Sequence, residues 1–397
     1  MDFVLFDDEE RNLLFPFTHT RPVADIRCGI WTIREKWEYL LEGKAAFRTA
    51  PYLMQAFNPG SVSSGLKING SLLPDDALVR AVQSLSEGHA LVKDGKVVAI
   101  HGGGDDHHEW QPLAVAESLE TEEYPYPVSW IRRPWDIFSH NDRQIQSDFL
   151  LLTQGKKSQA IPGYVTAIAP ENIYIEEGAT LLPCILNAAH ARIYIGRNAE
   201  IMEGSMLRGN IAICDQAVVK MGAKVYSGTT IGPGCKVGGE IQNTIFFANS
   251  NKGHDGYLGN AVIGEWCNLG ADTNCSNLKN DYGQVDAYSE GEGKYIETGL
   301  QFCGLMMGDH SKCSINTMFN TGTVVGVSCN IFGTDFPPKF IPSFSWGGSQ
   351  QLKVYKIEKA KRTANSMMER RHLALTEAEE SIFQYIFEHS PVHLQKK

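Results

Sequence analysis

The sequence lacks features that would assign it to several common classes of protein. No apolar run approaches the roughly 20 residues that span a bilayer, and none of the nine cysteines forms a Cys-x-x-Cys pair. Basic residues are also scarce, with 36 Lys and Arg against 46 Asp and Glu, for a net charge of −10. Such a charge repels phosphodiester backbones. We therefore expect no membrane span and no nucleic-acid partner, and we assign no metal ligands.

We also expect no secretory signal at the amino terminus. Four acids at positions 7–10 stand where such a signal has a basic segment and a long apolar core. The odd number of cysteines favours reduced thiols, so we expect a cytoplasmic protein. At 397 residues the chain is too long for one core, which rarely exceeds about 250 to 300 residues.

Aliphatic residues recur at every sixth position in the second half of the chain. This period suits neither a helix nor an alternating strand, but it suits short strands joined by tight turns. Small residues such as Cys235 and Cys267 lie four positions after the aliphatic ones, as a narrow interior requires. We predict a three-sided parallel β-helix over residues 156–335. Its first run is Ile195, Ile201, Leu207, Ile213, Val219, Val225, Ile231 and Val237.

The first interruption of this period, residues 242–260, contains a histidine. A loop that breaks a regular solenoid is a common place for function. A general base must titrate near the working pH, and histidine, with an ordinary pKa of about 6.5, suits that task. His254 is therefore the predicted base, and a solvated bystander is the alternative.

The repeat resembles the hexapeptide-repeat acyltransferases, and the surroundings of His254 resemble the acetyltransferase half of bifunctional GlmU-type enzymes. Tyr257, Asn268 and Asn277 follow His254 at the spacing of that family. The resemblance implies a left-handed β-helix and a homotrimer with acetyl-CoA between its subunits. It also implies N-acetylation of an amino-sugar 1-phosphate such as glucosamine 1-phosphate.

The same resemblance implies roles for single residues. His254 would be the general base, and Asn277 would orient the amine. Where the family has a basic pair for the sugar phosphate, this chain has Tyr226 and Asn243. The other implied contacts are Tyr257, Asn268 and Lys252 to the sugar phosphate, and Ala271 and Thr321 to the acyl-CoA.

Residues 1–155 mix apolar strands with helical stretches, which predicts an α/β domain. The segment 15–22 resembles sugar-1-phosphate nucleotidyltransferases, but acids at 7–10 replace their glycine-rich phosphate loop, and the first glycine is Gly29. Arg11 and Arg21 keep the spacing of the family's two phosphate-binding basic residues. The resemblance implies binding of a triphosphate such as UTP or dTTP, with Mg²⁺, in a reduced domain that is either active or vestigial.

Three further segments lie outside these patterns. The acidic second interruption, residues 281–301, is predicted to be an exposed loop, with a cover over the cleft as the alternative. The histidine-rich segment 101–108 is predicted to be a solvated loop without a metal. Residues 336–397 have a helical pattern and are expected to pack on a neighbouring subunit.

Three functions are compatible with these patterns. The first is an acetyl-CoA-dependent N-acetyltransferase with possible nucleotidyl transfer. The second is a sugar-1-phosphate nucleotidyltransferase whose β-helix only trimerises, and the third is a non-catalytic nucleotide-sugar-binding protein. The missing glycine loop counts against the second, and the residues around His254 count against the third.

Overall fold

A computed structural model describes residues 2–57, 65–102 and 111–392. As predicted, an α/β region is followed by a left-handed parallel β-helix of about ten turns and a helical carboxyl-terminal segment. No helix in these ranges is long and apolar enough to cross a bilayer. Most of the histidine-rich segment 101–108 lies outside the described residues.

The α/β region is built on one six-stranded sheet. Its first three strands in space are parallel, and the fourth is antiparallel to them. The strand order is Ala45–Arg48, Phe3–Phe6, Leu66–Asn69, Lys96–His101, His89–Lys93 and Glu120–Glu123, with a separate pair of Leu72–Leu73 and Ser129–Trp130. The α-helices are Ile33–Leu41, Met54–Phe57, Asp76–Ser84, Pro112–Glu117 and Pro134–Thr153, and the short 3-10 helices are Glu9–Leu14, Phe17–His19, Val23–Asp25 and Pro51–Leu53.

The β-helix has three faces, which each coil visits in the order 1, 2, 3. Face 1 contains Ile173–Ile175, Ile193–Ile195, Ile211–Ile213, Thr229–Ile231, Met306–Met307, Val324–Val325 and Phe340–Ile341. Face 2 contains Thr180–Leu181, Glu200–Ile201, Val218–Val219, Lys236–Val237, Asn251–Lys252, Asn268–Leu269, Lys312–Cys313, Asn330–Ile331 and Ser345–Gly347, with Leu352–Val354 at its edge. Face 3 contains Thr166–Ile168, Ile185–Asn187, Met206–Arg208 and Lys224–Tyr226, followed by the pair Asn274–Cys275 and Met318–Phe319. Two longer strands, Glu240–Phe246 and Tyr257–Ile263, run from face 3 onto face 1.

The six-residue period is confirmed by burial. All eight residues of the first aliphatic run point inward and are at most 1% exposed. All nine cysteines lie in the described ranges, and each is buried with a free thiol. Gly232 shows why glycine recurs at the turns, since a Cβ there would lie 1.8 Å from the carbonyl oxygen of Phe247. The parallel ladder continues to Ser345–Gly347, past the predicted boundary at residue 335.

Face 1 is covered by the amino-terminal region of the same chain. Phe247, Val262 and Met306 are buried in one hydrophobic cluster with the core of that region. The helix Pro134–Thr153 lies along the same face, where Nδ2 of Asn141 donates to the carbonyl oxygen of Gly228 at 2.7 Å. Face 1 is therefore not available to another subunit.

The second interruption, residues 281–301, is exposed over much of its length, including 291–295, as predicted, but it is not irregular. It forms an antiparallel hairpin, Asp286–Ser289 with Lys294–Glu297. Val285 and Ala287 are buried with the core of the amino-terminal region, and Glu290 accepts from Nε2 of His19 at 3.1 Å. Apolar residues between the acids let the hairpin fasten the two regions together.

The carboxyl-terminal helices pack on the last coils of their own chain. Ile357–Met368 and Glu377–His389, joined through the 3-10 helix Glu369–Arg371, form a hydrophobic cluster with the last coils and with Leu53. The ring of Tyr385 stacks on that of Tyr52 at 3.9 Å. A solenoid must cover its last coil, and these helices do so.

Candidate functional site

His254 lies in the loop that crosses the edge between face 2 and face 3. The loop leaves face 2 after Asn251–Lys252 and enters face 3 at Tyr257. His254 and Asp255 are both exposed. Within the described residues, the imidazole of His254 makes no hydrogen bond. Both ring nitrogens are therefore free to exchange a proton with a bound molecule.

Tyr257 and Asn277 are brought together on face 3, beside this loop. Nδ2 of Asn277 donates to Oη of Tyr257 at 3.0 Å and to Oδ1 of Asn260 at 2.8 Å. Oη of Tyr257 in turn donates to Oε1 of Gln242 at 3.2 Å. Burial raises the pKa of Tyr257, so its hydroxyl stays protonated at neutral pH. These four side chains form a polar row along face 3.

Two glycines that follow His254 are required for steric reasons. Gly256 has a φ of +113°, and a Cβ there would lie 2.2 Å from the carbonyl oxygen of Thr273. Gly259 lies under the tyrosine, where a Cβ would lie 2.3 Å from Oη of Tyr257. The loop can close onto the next coil only because both positions lack a side chain.

Asn268 and Ala271 lie near the same edge but outside the polar row. Asn268 is on face 2, and its Oδ1 accepts from Nδ2 of Asn251 at 2.9 Å. Ala271 is at the turn between faces 2 and 3, where its carbonyl oxygen accepts from the backbone N–H of Asn316 at 2.8 Å. The predicted residues are therefore divided between two faces that meet at the His254 loop.

Lys252 does not face a substrate, so its predicted contact to the sugar phosphate is wrong. Its side chain is 0% exposed and occupies an inward position, in register with Val237. The ammonium donates to four backbone carbonyl oxygens at 2.9 to 3.3 Å. Burial lowers the pKa of Lys252 to about 8.

Thr321 is also buried, against the prediction that it contacts acyl-CoA. It is 5% exposed. The hairpin of the second interruption covers this turn, since a Cβ on Gly322 would lie 2.4 Å from the carbonyl oxygen of Asp286. Six-residue spacing identified the turn but carried no information on which insertion covers it.

Two members of the polar row were missed from the sequence. Asn260 has a φ of +48°, a conformation that asparagine tolerates at turns. Gln242 stands one coil before Tyr257, and the pairing of Gln242 with Gly259 places it there. Asn243, which stands where the family has a basic residue, lies at the corner with a φ of +44°. Only the register of the interrupted coils distinguishes these neighbours.

Arg11 is buried among its own region and does not meet a nucleotide phosphate. Its Nε donates to Oδ2 of Asp7 at 3.1 Å, and Nη2 donates to Oη of Tyr52 at 3.0 Å and to the carbonyl oxygen of Thr18. The side chain is 8% exposed. Asp7, one of the acids that replace the glycine loop, therefore helps to hold this arginine in place.

Arg21 is directed toward the β-helix instead of a nucleotide. Nη1 donates to Oε1 of Glu265 at 2.8 Å, and Nη2 pairs with Asp309. Burial alone would lower the pKa of Arg21, but the carboxylates of Asp309 and Glu265 outweigh it and raise the pKa. The predicted phosphate site at Arg11 and Arg21 is wrong, because both guanidinium groups already have internal partners.

A polar cleft does lie at the carboxyl edge of the six-stranded sheet, where open α/β sheets bind ligands. One cavity of about 420 Å³ is lined by Lys93, Lys96, Trp130 and Arg132. A second, of about 300 Å³, shares Lys96 and is lined by Asp8, Glu10 and Asn69. Glu10 pairs with Lys96 and, at 3.3 Å, with Nε of Arg132. Cations and carboxylates thus face the same opening.

Comparison with known proteins agrees with the two-part architecture. Residues 3–157 match the family model described as sugar nucleotidyl transferase. The bifunctional GlmU protein of Methanocaldococcus jannaschii is 33% identical over 90 residues, which are 23% of this chain and 21% of that protein. The GlmU protein of Trichormus variabilis is 27% identical over 164 residues, or 36% of each chain.

The matched segments span between about a fifth and just over a third of the length of these curated relatives. Among solved structures, that of the polySia-specific acetyltransferase NeuO matches 53% of this chain and 100% of its own, at 13% identity and a TM-score of 0.27. Residues 3–157 are therefore similar to sugar nucleotidyl transferases, and parts of the chain are similar to bifunctional GlmU proteins.

Proposed function

We propose that the protein is a transferase that moves the acetyl group of acetyl-CoA to the amine of an amino-sugar 1-phosphate, such as glucosamine 1-phosphate. The single observation that carries this proposal is the polar row of Tyr257 and Asn277 beside the exposed loop of His254. Relationship to the GlmU proteins supports the class of reaction. Glucosamine 1-phosphate and acetyl-CoA are part of the proposal.

In this reaction the sugar amine attacks the thioester carbonyl carbon, the C–S bond breaks, and the thiolate of coenzyme A leaves. His254 accepts the proton that the amine loses and passes it to this thiolate, which leaves as the thiol. Asn277 uses both hydrogens of its amide on Tyr257 and Asn260. Within the described residues no donor reaches its Oδ1, which therefore remains available to accept from the amine and to orient its lone pair.

The polar row contains no cation, so it suits the hydroxyls of the sugar better than the phosphate. Tyr257, Gln242 and Asn277 are neutral side chains that hydrogen-bond to hydroxyls. The phosphate would then lie toward solvent or toward a second subunit. This arrangement predicts weaker discrimination between a sugar phosphate and the free amino sugar than a site with a basic pair would give.

His254→Asn tests the proposal, because asparagine keeps a polar side chain but accepts no proton near neutral pH. Turnover of glucosamine 1-phosphate with acetyl-CoA should fall by about 10² to 10⁴. The loss should shrink toward pH 9, where more of the amine arrives deprotonated. His190→Asn, which changes an exposed histidine at another turn, is the matched control. Equal turnover of parent and His254→Asn from pH 6 to 9 contradicts the role of His254.

A second activity, nucleotidyl transfer to the sugar 1-phosphate, is favoured by the polar cleft of the amino-terminal region. Lys93, Lys96 and Arg132 would bind the phosphates of UTP or dTTP, and Trp130 would offer a face to the base. Asp8 and Glu10 are the carboxylates that would hold a Mg²⁺ carried by the triphosphate, since Mg²⁺ commonly binds through one or two carboxylates and substrate phosphates.

We also propose that the protein is a homotrimer that packs through face 3. Face 1 is covered, and the outward residues of face 2, such as Lys236 and Asn251, are polar. Face 3 instead exposes four apolar side chains on its first four strands, Ile168, Ile185, Met206 and Tyr226, that are 37 to 45% exposed, and we call this group the apolar stripe. Ile185 and Met206 are direct neighbours in the ladder, and exposed apolar surface of this kind marks an interface. Tyr257 lies on the same face, so a neighbouring subunit would border the site.

A further inference from the structure

Lys252 stands where the β-helix otherwise has an apolar residue. In the column of inward residues on face 2 it lies between Val237 and Leu269, with Val219 one coil earlier. A buried ammonium is costly unless hydrogen bonds replace the water that it has lost. A lysine that serves only the fold is therefore a poor choice here, since uncharged and mostly aliphatic residues fill the equivalent positions.

The four acceptors of this ammonium explain its presence. One is the carbonyl oxygen of Gly238, in the preceding coil, at 3.3 Å. The others belong to the loop itself: His254 at 3.0 Å, Asp255 at 3.2 Å and Gly256 at 2.9 Å. Nζ thus joins three consecutive carbonyls of the loop to the coil beneath it. One of the three is the carbonyl of His254.

We propose that Lys252 is a positioning residue whose buried ammonium holds loop 253–256 against the preceding coil and so fixes the place of His254. The inference rests on the proposed acyl transfer, because a fixed place for His254 has value only if that side chain acts on a substrate. Lys252 acts through the backbone and does not touch the substrate, since its side chain is 0% exposed.

The test is Lys252→Met, which keeps the length of the side chain and suits an apolar interior. The matched control is Lys236→Met, which changes an exposed lysine of the preceding coil on the same face. Circular dichroism should show an intact β-helix for both. If methionine disturbs the coil, Lys252→Leu, which copies Leu269 of the next coil, replaces it.

The first readout is amide hydrogen exchange of the peptide that covers the loop. Lys252→Met removes the hydrogen bonds from the ammonium to the loop carbonyls, which we call the clamp. Amide exchange at residues 253–257 should therefore rise at least about tenfold in Lys252→Met and stay unchanged in Lys236→Met. His254→Asn should also leave it unchanged, because the imidazole takes no part in the clamp. Unchanged exchange in Lys252→Met overturns the inference, whether or not the protein transfers acetyl groups.

The second readout is acetyl transfer to glucosamine 1-phosphate. A misplaced catalytic group can cost about 10²-fold, so kcat of Lys252→Met should fall about 10- to 100-fold while KM for acetyl-CoA stays near that of the parent. A loosened loop with full kcat overturns the positioning role. A parent protein without any acetyl transfer refutes the proposed function instead, and hydrogen exchange then still decides whether the clamp exists.

Discussion

Arg21→Met removes the buried guanidinium that joins the amino-terminal region to the β-helix. The side chain of Arg21 is 8% exposed, pairs with Glu265 and Asp309, and lies 5.1 Å from the ring centre of Phe247. The substitution leaves two carboxylates, close together and partly buried, without their counter-ion. Methionine keeps much of the apolar contact with Phe247, so any loss of unfolding free energy comes mainly from the missing charge.

The expected cost is about 3 to 5 kcal/mol of unfolding free energy, the usual effect of removing one partner from a buried ion pair. This value is a large fraction of the 5 to 15 kcal/mol that stabilises a typical protein. A surface pair would contribute only about 0 to 1 kcal/mol. The two cases are therefore distinguishable by ordinary denaturation.

The loss should depend on pH. Burial raises the pKa of Glu265, and Arg21 acts in the opposite direction. Without Arg21, burial and Asp309 both raise it further. When folding raises the pKa of a carboxyl, the unfolding free energy of the protein falls as the pH rises from the unfolded pKa of that carboxyl, about 4.3, to its folded pKa. The destabilisation should be complete above the folded pKa and should shrink as the pH falls toward about 4.3.

Urea unfolding followed by tryptophan fluorescence, at pH 7.5 and pH 5 and at one protein concentration, measures this effect. The control is Arg34→Met, because Arg34 pairs with Asp25 and Glu38 but is 29% exposed. Replacing both carboxylates as well, in Arg21→Met with Glu265→Gln and Asp309→Asn, should restore most of the stability. Equal losses for Arg21→Met and Arg34→Met, at either pH, would refute this account of the domain junction.

Two other substitutions test the remaining proposals. Met206→Lys places a charge in the apolar stripe of face 3 and should convert a trimer into a monomer, as measured by light scattering at micromolar concentration. Thr180→Lys, on face 2, should leave the trimer intact. A trimer that persists in Met206→Lys rules out face 3 as the interface. Lys96→Ala should weaken binding of UTP or dTTP with Mg²⁺ at least tenfold in calorimetry, whereas Lys44→Ala, at the opposite edge of the sheet, should not. Equal binding by both variants would show that the cleft does not bind the nucleotide.

The fold of the second half could be predicted because its period is local. A hexapeptide with one aliphatic and one small inward residue forms the same strand and turn in every coil, so residues such as Val219 and Val237 occupy equivalent inward positions. Tyr257 and Asn277 were both expected near the site, and their hydrogen bond follows from the regular coil that separates them. Gln242 was not, because one residue of register separates it from Asn243.

Charged residues were the main failure. Arg11, Arg21 and Lys252 were each expected to meet a phosphate, and each is buried against acceptors of the chain itself. A match to the spacing of a family motif fixes only the position of a residue along the sequence. It does not say whether a carboxylate or a row of carbonyls from a distant segment already neutralises them.

The sequence by itself determined the β-helix, its interruptions and the exposed loop that carries His254, because these depend on residue type at short, repeated spacing. Only the tertiary structure decided that Arg21 meets Asp309, that the acidic insertion covers Thr321, and that face 1 is covered while face 3 is open. The physical reason is that charge neutralisation and burial depend on which distant segments come into contact. Those contacts are set by the packing of two domains, and no local pattern encodes them.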